Sequence, residues 1–215
     1  MTTKAEVMAI LEGLGIRPSR RLGQNFLIDP NMLAAILRAV NPLPGENILE
    51  IGPGTGILTA ELLQAGCVVT AVELDCRLAE RLRQSAGDCK RLRVIEEDAA
   101  RVDFDVLMAH HRYRCISNLP YSVSSIVLVH LAECCNPPGE MVVLLQREMA
   151  ERLAAVPGTK EYGALTVRIQ LLYAMHPERR VPRHVFYPRP EVESVLVRMR
   201  AKPDPPEHTT RLKIG

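Results

Sequence analysis

The stretch from Asn47 to Gly56, N-I-L-E-I-G-P-G-T-G, constrains this chain more than any other. Ile48, Leu49 and Ile51 read as a buried parallel strand, because a short apolar run closed by a turn signal suits a strand covered on both faces. Gly52, Gly54 and Gly56 predict a tight turn into a helix starting near Ile57. A Cβ there would keep the backbone away from a ligand and would resist positive φ. After one crossover, Cys67 to Val72 reads as a second apolar strand, ending in Glu73-Leu74-Asp75. An acid at the tip of the second strand of such a unit is placed to accept hydrogen bonds from both hydroxyls of a ribose. The stretch predicts a site for an adenosine-containing cofactor.

Detail narrows the cofactor. Dinucleotide sites use G-x-G-x-x-G, whereas here the third glycine follows the second by two positions, and Glu50 stands two residues before the first. A carboxylate beside the loop suits a ligand carrying a sulfonium and an ammonium and repels a pyrophosphate. This E-x-G-x-G-x-G form resembles the first motif of S-adenosylmethionine-dependent methyltransferases.

Apolar periodicity places the remaining elements. Val7, Ile10, Leu11 and Leu14 mark a first helix. Residues 20–29 mix polar and apolar side chains with no helix or strand period. Asp29 and Pro30 form an N-cap and first-turn pair for a helix with Leu33, Ile36, Leu37 and Val40 inward. Further strands are expected at Leu92–Ile95, Arg114–Ser117 and Met141–Leu145, with helices over 57–64, 75–85, 122–133, 147–155 and 164–173. Ser122 is the expected cap of the third of these. Two late strands are expected near 181–186 and 192–199. The alternation predicts a doubly wound, Rossmann-like α/β sheet with an antiparallel hairpin near its C-terminal end. Residues 1–200 form one expected domain, and 201–215, with three prolines, read as a linker.

Composition excludes several classes. The net charge of +2 demands no nucleic-acid partner in bulk, but the basic residues cluster. Arg17, Arg20 and Arg21 form one group, His110, His111, Arg112 and Arg114 a second, and Arg179, Arg180, Arg183 and Arg189 a third. Local stripes of this kind fit a phosphate-tracking face, although the second group reads more simply as solvated surface. Six cysteines without C-x-x-C spacing read as small core residues in a reducing cytosol and predict no metal site. No signal peptide or long apolar run is seen, so neither secretion nor a membrane partner is expected.

Ligands of an open α/β sheet sit off the carboxyl ends of its strands. Four segments reach that edge with polar residues: Gly52 to Gly56, Glu73, Asp98 and Asn118-Leu119-Pro120-Tyr121. Asp98 alone would pass for a turn cap; one βα unit after Glu73, it is placed to accept from an adenine amino group. Asn118-Leu119-Pro120-Tyr121 resembles the [N/D]-P-P-[Y/F] group of methyltransferases that act on ring-conjugated amines. The lone pair of such an amine is delocalised, and acceptors at the Asn118 side chain and the Leu119 carbonyl would draw the nitrogen towards tetrahedral geometry. Tyr121 would stack on the base.

Together with Gly23-Gln24-Asn25-Phe26-Leu27-Ile28-Asp29 and Phe186-Tyr187-Pro188-Arg189-Pro190-Glu191-Val192-Glu193-Ser194, these motifs resemble the KsgA family, the small-subunit ribosomal RNA adenine dimethyltransferases. The resemblance runs from about residue 17 to 200. It implies S-adenosylmethionine as cofactor, without a metal, and contacts to it at Gln24, Asn25, Leu27, Gly52, Gly54, Glu73, Leu74, Asp98, Ala99 and Asn118. It implies that Asn118, Leu119, Pro120 and Tyr121 receive a flipped adenine and that Phe186 closes the other face of that base; in isolation Phe186 would pass for a core aromatic. The implied partner is the small ribosomal subunit and its RNA, met by a cytoplasmic monomer. The family also carries a helical C-terminal domain that this chain ends before. Ser117 and Ser122 depart from the residues usual beside the motif. The Erm methyltransferases of large-subunit RNA are the nearest rival, but their glycine loop usually reads G-x-G-K-G where this chain has Thr55. A non-catalytic factor on the same scaffold would be expected to lose an edge residue, and Glu73, Asp98, Asn118 and Tyr121 are all intact. A nicotinamide oxidoreductase is disfavoured by the glycine spacing and Glu50.

Overall fold

The computed structural model describes residues 4–19, 22–109 and 111–203. Arg20, Arg21, His110 and the expected linker beyond residue 203 lie outside the described residues. In chain order the helices are α1 (Lys4–Gly13), α2 (Pro30–Val40), α3 (Ile57–Gln64), α4 (Cys76–Ala86), α5 (Phe104–Leu107), α6 (Ser124–Glu133), α7 (Arg147–Leu153) and α8 (Ala164–Leu172). The strands are β1 (Phe26–Leu27), β2 (Asn47–Ile51), β3 (Val68–Glu73), β4 (Leu92–Glu96), β5 (Tyr113–Asn118), β6 (Glu140–Gln146), β7 (Tyr173–Val181), β8 (Phe186–Tyr187) and β9 (Ser194–Ala201).

Seven strands form one sheet in the order β4-β3-β2-β5-β6-β9-β7. The first five are parallel, and β9 runs antiparallel to both β6 and β7. Period-two alternation divides the side chains between two cores. On β6, Met141, Val143 and Leu145 join one apolar cluster with α6, α7 and α8, while Val142 and Leu144 join the other with α2 and α3. Burial on both faces explains why the parallel strands read as near-continuous apolar runs. Asp29 caps α2 as expected, its carboxylate accepting the Met32 N–H at 2.6 Å, and Asp75 caps α4.

The C-terminal part differs from expectation. The late strands are β7 and β9, while Phe186–Tyr187 forms only a two-residue bridge with Phe26–Leu27 in a separate small sheet. β7 escaped sequence reading because it carries His176, Pro177, Glu178, Arg179 and Arg180, all exposed. As the edge strand it tolerates proline and charge that a central strand would exclude. Ser122 is not the cap of α6: that helix starts at Ser124 and has no side-chain cap. The four-residue helix α5 has no counterpart in the sequence reading.

Candidate active site

β2 and β5 lie side by side, but the chain leaves β2 towards β3 and leaves β5 towards β6, so the strand order reverses between them. Such a reversal opens a crevice at the carboxyl edge. The β2–β5 ladder pairs only Asn47–Leu49 with Tyr113–Cys115. Above it the Ser117 hydroxyl accepts the Ile51 N–H at 3.0 Å and donates to the Ile51 carbonyl. A side chain thus satisfies the backbone groups that the parting strands release, as burial of those groups requires.

Three motifs interlock over this crevice. A Cβ on Gly52, at φ +65°, would stand 2.8 Å from Pro120 Cγ; one on Gly54, at φ +57°, would stand 2.9 Å from Phe26 Cε1. Gly23 likewise abuts the backbone nitrogens of Tyr121 and Ser122, at 2.8 Å from where its Cβ would be. The Asn118 side-chain amide donates to the Asn25 carbonyl at 2.8 Å, and Glu73 accepts the Gly54 N–H at 3.0 Å. The glycines are therefore required by close packing between protein segments, a stronger constraint than the approach of a ligand that the sequence suggested.

The segments enclose a cavity of about 280 Å³. Gln24, Asn25, Leu27, Gly52, Gly54, Glu73, Leu74, Asp98, Ala99, Asn118, Leu119, Pro120 and Tyr121 all line it. Phe186 does not: it is 2% exposed and packs in the apolar cluster beneath α2. Its bridge to Leu27 holds it there, which is the core-aromatic reading.

The cavity wall carries Glu50, Glu73, Asp75, Glu97 and Asp98 and, among the described residues, no lysine, arginine or histidine. Glu50 is 2% exposed, and its carboxyl accepts from the Thr59 hydroxyl at 2.6 Å. Burial, reinforced by nearby Glu73 and only partly offset by Thr59, pushes the Glu50 carboxyl up to about 8. Burial also pushes Glu73 up, against the N–H groups of Asp75, Gly54 and Leu74 that favour its charged form. Asp98 accepts the Ala100 N–H at 2.9 Å, so it caps a turn while facing the cavity. A wall of acids without a base fits a cationic ligand and opposes a phosphate. S-adenosylmethionine, with its sulfonium and ammonium, fits this donor set; a dinucleotide does not. Among the described residues no group of three or more His, Cys, Asp or Glu side chains is arranged to hold a metal.

Asn118 is the polar focus. Its amide nitrogen is committed to Asn25, whereas its Oδ1 is buried without a hydrogen-bond partner. A buried acceptor left open costs about 1–3 kcal/mol and marks a place where a donor belongs. Tyr121, half-buried, shares a hydrogen bond of 2.5 Å with Ser194, which is fully buried at the start of β9. Sequence reading assigned no role to Ser194, Thr59 or the hydroxyl of Ser117. Ser194 closes the F-Y-P-R-P-E-V-E-S stretch, the one signal that pointed its way.

The basic clusters separate by location. Arg114 lies at the far edge of the sheet, bound to Glu46 at 2.7 Å and Glu140 at 3.0 Å, so it is structural, while His111 and Arg112 of the same group are exposed. Arg179, Arg180, Arg183 and Arg189 are exposed and lead along β7 towards the carboxyl edge, where Val181 lies level with Ser194. Arg17 is exposed as well.

Comparison with known proteins places the chain. A profile described as ribosomal RNA adenine dimethylase matches residues 16–213. Ribosomal RNA small subunit methyltransferase A of Vibrio atlanticus is 42% identical over 187 residues, 86% of this chain and 69% of that protein. The crystal structure of a dimethyladenosine transferase from Plasmodium falciparum is 30% identical, with a TM-score of 0.73 over 82% of this chain and 63% of that one. This chain thus spans less than two thirds of the Plasmodium chain. The 23S rRNA methyltransferase ErmE shares the architecture equally well, with a TM-score of 0.74 over 88% of this chain and 75% of that one, but is 27% identical. Fold alone does not separate these enzymes; sequence identity favours the small-subunit group. The chain belongs to the ribosomal RNA adenine dimethylase family.

Proposed function

We propose that this chain transfers two methyl groups from S-adenosylmethionine to the exocyclic N6 amine of adenine, on neighbouring adenines of small-subunit ribosomal RNA. The observation that carries the reading is the buried Asn118 Oδ1, an acceptor without a partner among the described residues, in the lining of an acid-walled cavity. Bound S-adenosylmethionine supplies an electrophilic methyl group. The chain's own residues do the rest. Glu73 accepts from the ribose hydroxyls, Asp98 from the adenine amine of the cofactor, and Gln24, Asn25, Leu27, Leu74, Ala99 and the backbone at Gly52 and Gly54 enclose it. Asn118 Oδ1 and the Leu119 carbonyl accept the hydrogens of the target amine, which draws its lone pair out of conjugation and favours the charge that grows on nitrogen. Pro120 holds that carbonyl in place, and Tyr121, steadied by Ser194, offers a stacking face worth about 1–3 kcal/mol. Phe186 serves the same pocket from beneath, through its bridge to Leu27, rather than as a second stacking face. The methylated amine returns its proton to solvent, so no general base is assigned.

The RNA backbone is read by the exposed arginines of β7 and the turn after it, together with Arg17, in a bacterial cytoplasm and as a monomer. Among the described residues no helix is long and apolar enough to cross a membrane. The deciding experiment is methyl transfer from labelled S-adenosylmethionine to purified small subunits, large subunits and their naked RNAs, using this chain and a version extended to the length of its relatives. Dimethyladenine formed only in small subunits is the expected result. Label in naked large-subunit RNA would move the protein to the ErmE side, and cofactor binding without transfer by either chain would leave a non-catalytic factor.

A further inference from the structure

Glu50 is a charged residue type in a place that offers no counter-charge. It lies on β2 one residue before the Gly52 turn begins to form, lines the cavity, and has one hydrogen-bond partner, the Thr59 hydroxyl of α3. From β3 it faces Glu73, a second acid, and from β5 it faces Cys115, fully buried in the neighbouring strand. Among the described residues no lysine, arginine or histidine lines the cavity. An isolated carboxylate in such a place is costly, and the group takes up a proton instead.

Building on the proposed cofactor, we propose that S-adenosylmethionine binding expels a proton from Glu50, which becomes the counter-charge of the cationic methionyl end of the ligand. In the empty site the neutral carboxyl satisfies Thr59 and repels Glu73 little. When the ligand's positive charge enters, the O–H bond of Glu50 breaks, the proton goes to solvent, and the electron pair stays on the carboxylate facing the cation. The cavity thus carries its full negative charge only when that charge has a partner. The burial-driven rise of Glu50 to about 8 places the exchange within the working range of the protein. Glu73 is less suited to the part, because backbone N–H groups of Gly54 and Asp75 offset part of the rise that burial gives it.

Isothermal titration of S-adenosylmethionine at pH 7, in buffers of different ionisation enthalpy, counts the protons released. The ligand's own ammonium titrates nearby, so the quantity read is the difference between the wild type and Glu50→Gln. That difference is expected to approach one proton per ligand at pH 7 and to vanish well above pH 8. Below that point wild-type affinity should tighten by up to about tenfold for each unit that the pH rises, relative to the variant. 5′-Methylthioadenosine, which keeps the adenosine and lacks both charges, should bind without proton release. Thr59→Val, which removes the one bond favouring the charged carboxyl, should move the midpoint to higher pH, and this variant decides the matter if Glu50→Gln does not fold. Equal proton release by wild type and Glu50→Gln, release with 5′-methylthioadenosine, or an unmoved midpoint in Thr59→Val would overturn the proposal. Absence of any binding heat with S-adenosylmethionine would instead overturn the cofactor reading itself.

Discussion

The two edges of the parallel sheet use the same residue types in opposite ways. At the amino edge, Arg114 binds Glu46 and Glu140, Arg198 binds Glu140 and Glu178, and Arg200 binds Glu140. Arg114 and Arg198 also donate to the Val40 and Ala39 carbonyls, closing the C-terminus of α2. Each charge there has a partner, and the helix end adds a favourable dipole. At the carboxyl edge five acids share a wall that no described base joins. Asp75 pairs with Arg77 at 2.8 Å and Asp98 lies 3.8 Å from Arg101, while Glu50 and Glu73 have no cationic partner among the described residues, and a buried amide oxygen stands open. Charge that serves the fold is balanced within the chain. Charge that faces the cavity is left unbalanced at Glu50 and Glu73, and the difference marks the candidate site without reference to any relative.

The contrast can be broken by exchanging consequences between the edges. The largest effect is expected from Asn118→Ala: turnover should fall by about 10²–10³-fold, the scale for loss of one preorganised group, while cofactor affinity stays within a few-fold. A parallel collapse of binding would mean that Asn118 serves chiefly to hold Asn25. Next is Glu140→Ala, which removes the partner shared by Arg114, Arg198 and Arg200 and leaves the first two to Glu46 and Glu178. It should cost about 3 kcal/mol in urea unfolding, at the low end for a buried network because these side chains keep some exposure. Cofactor affinity of the folded fraction should be unchanged, and a changed affinity would show that the two edges are coupled.

The smallest effect concerns pH and has opposite signs at the two edges. Glu50, pushed up by burial from 4.5 to about 8, binds its proton more tightly folded than unfolded. It therefore costs stability progressively as pH rises between those values, and ligand-free Glu50→Gln should gain on the wild type from pH 5 to 8. At the amino edge, burial pushes Glu140 up but Arg198, Arg200 and Arg114 more than offset it, holding the carboxyl below its ordinary range. Its contribution is full above that range and is lost as pH falls through it, so Glu140→Gln should lose its disadvantage in acid. Unfolding free energies of the two variants across pH 3–9 check both signs.

Much of this was legible in the chain itself. The βαβ core was readable because strands buried on both faces leave unbroken apolar runs, and the edge residues because the chemistry restricts both type and spacing. What stayed hidden has a common cause. Ser194 meets Tyr121 across 73 positions and Ser117 meets Ile51 across 66, and no local pattern encodes a hydroxyl's distant partner. β1 and β8 are two residues each, too short to show a period. β7 hid behind the charges that keep an edge strand from pairing with another molecule. Phe186 was placed by its motif and corrected by its burial.

The contacts that Gly23, Gly52 and Gly54 permit also bear on how such an enzyme can be altered. Each glycine is fitted to a residue of another motif: Gly23 to Tyr121 and Ser122, Gly52 to Pro120, Gly54 to Phe26. The three segments behave as one part with three chain crossings. A designer who transplants the counterpart of Asn118-Leu119-Pro120-Tyr121 from another enzyme must carry its two companions along, and a lineage that alters one must find its way to the others. The specificity of this scaffold is inherited as a set.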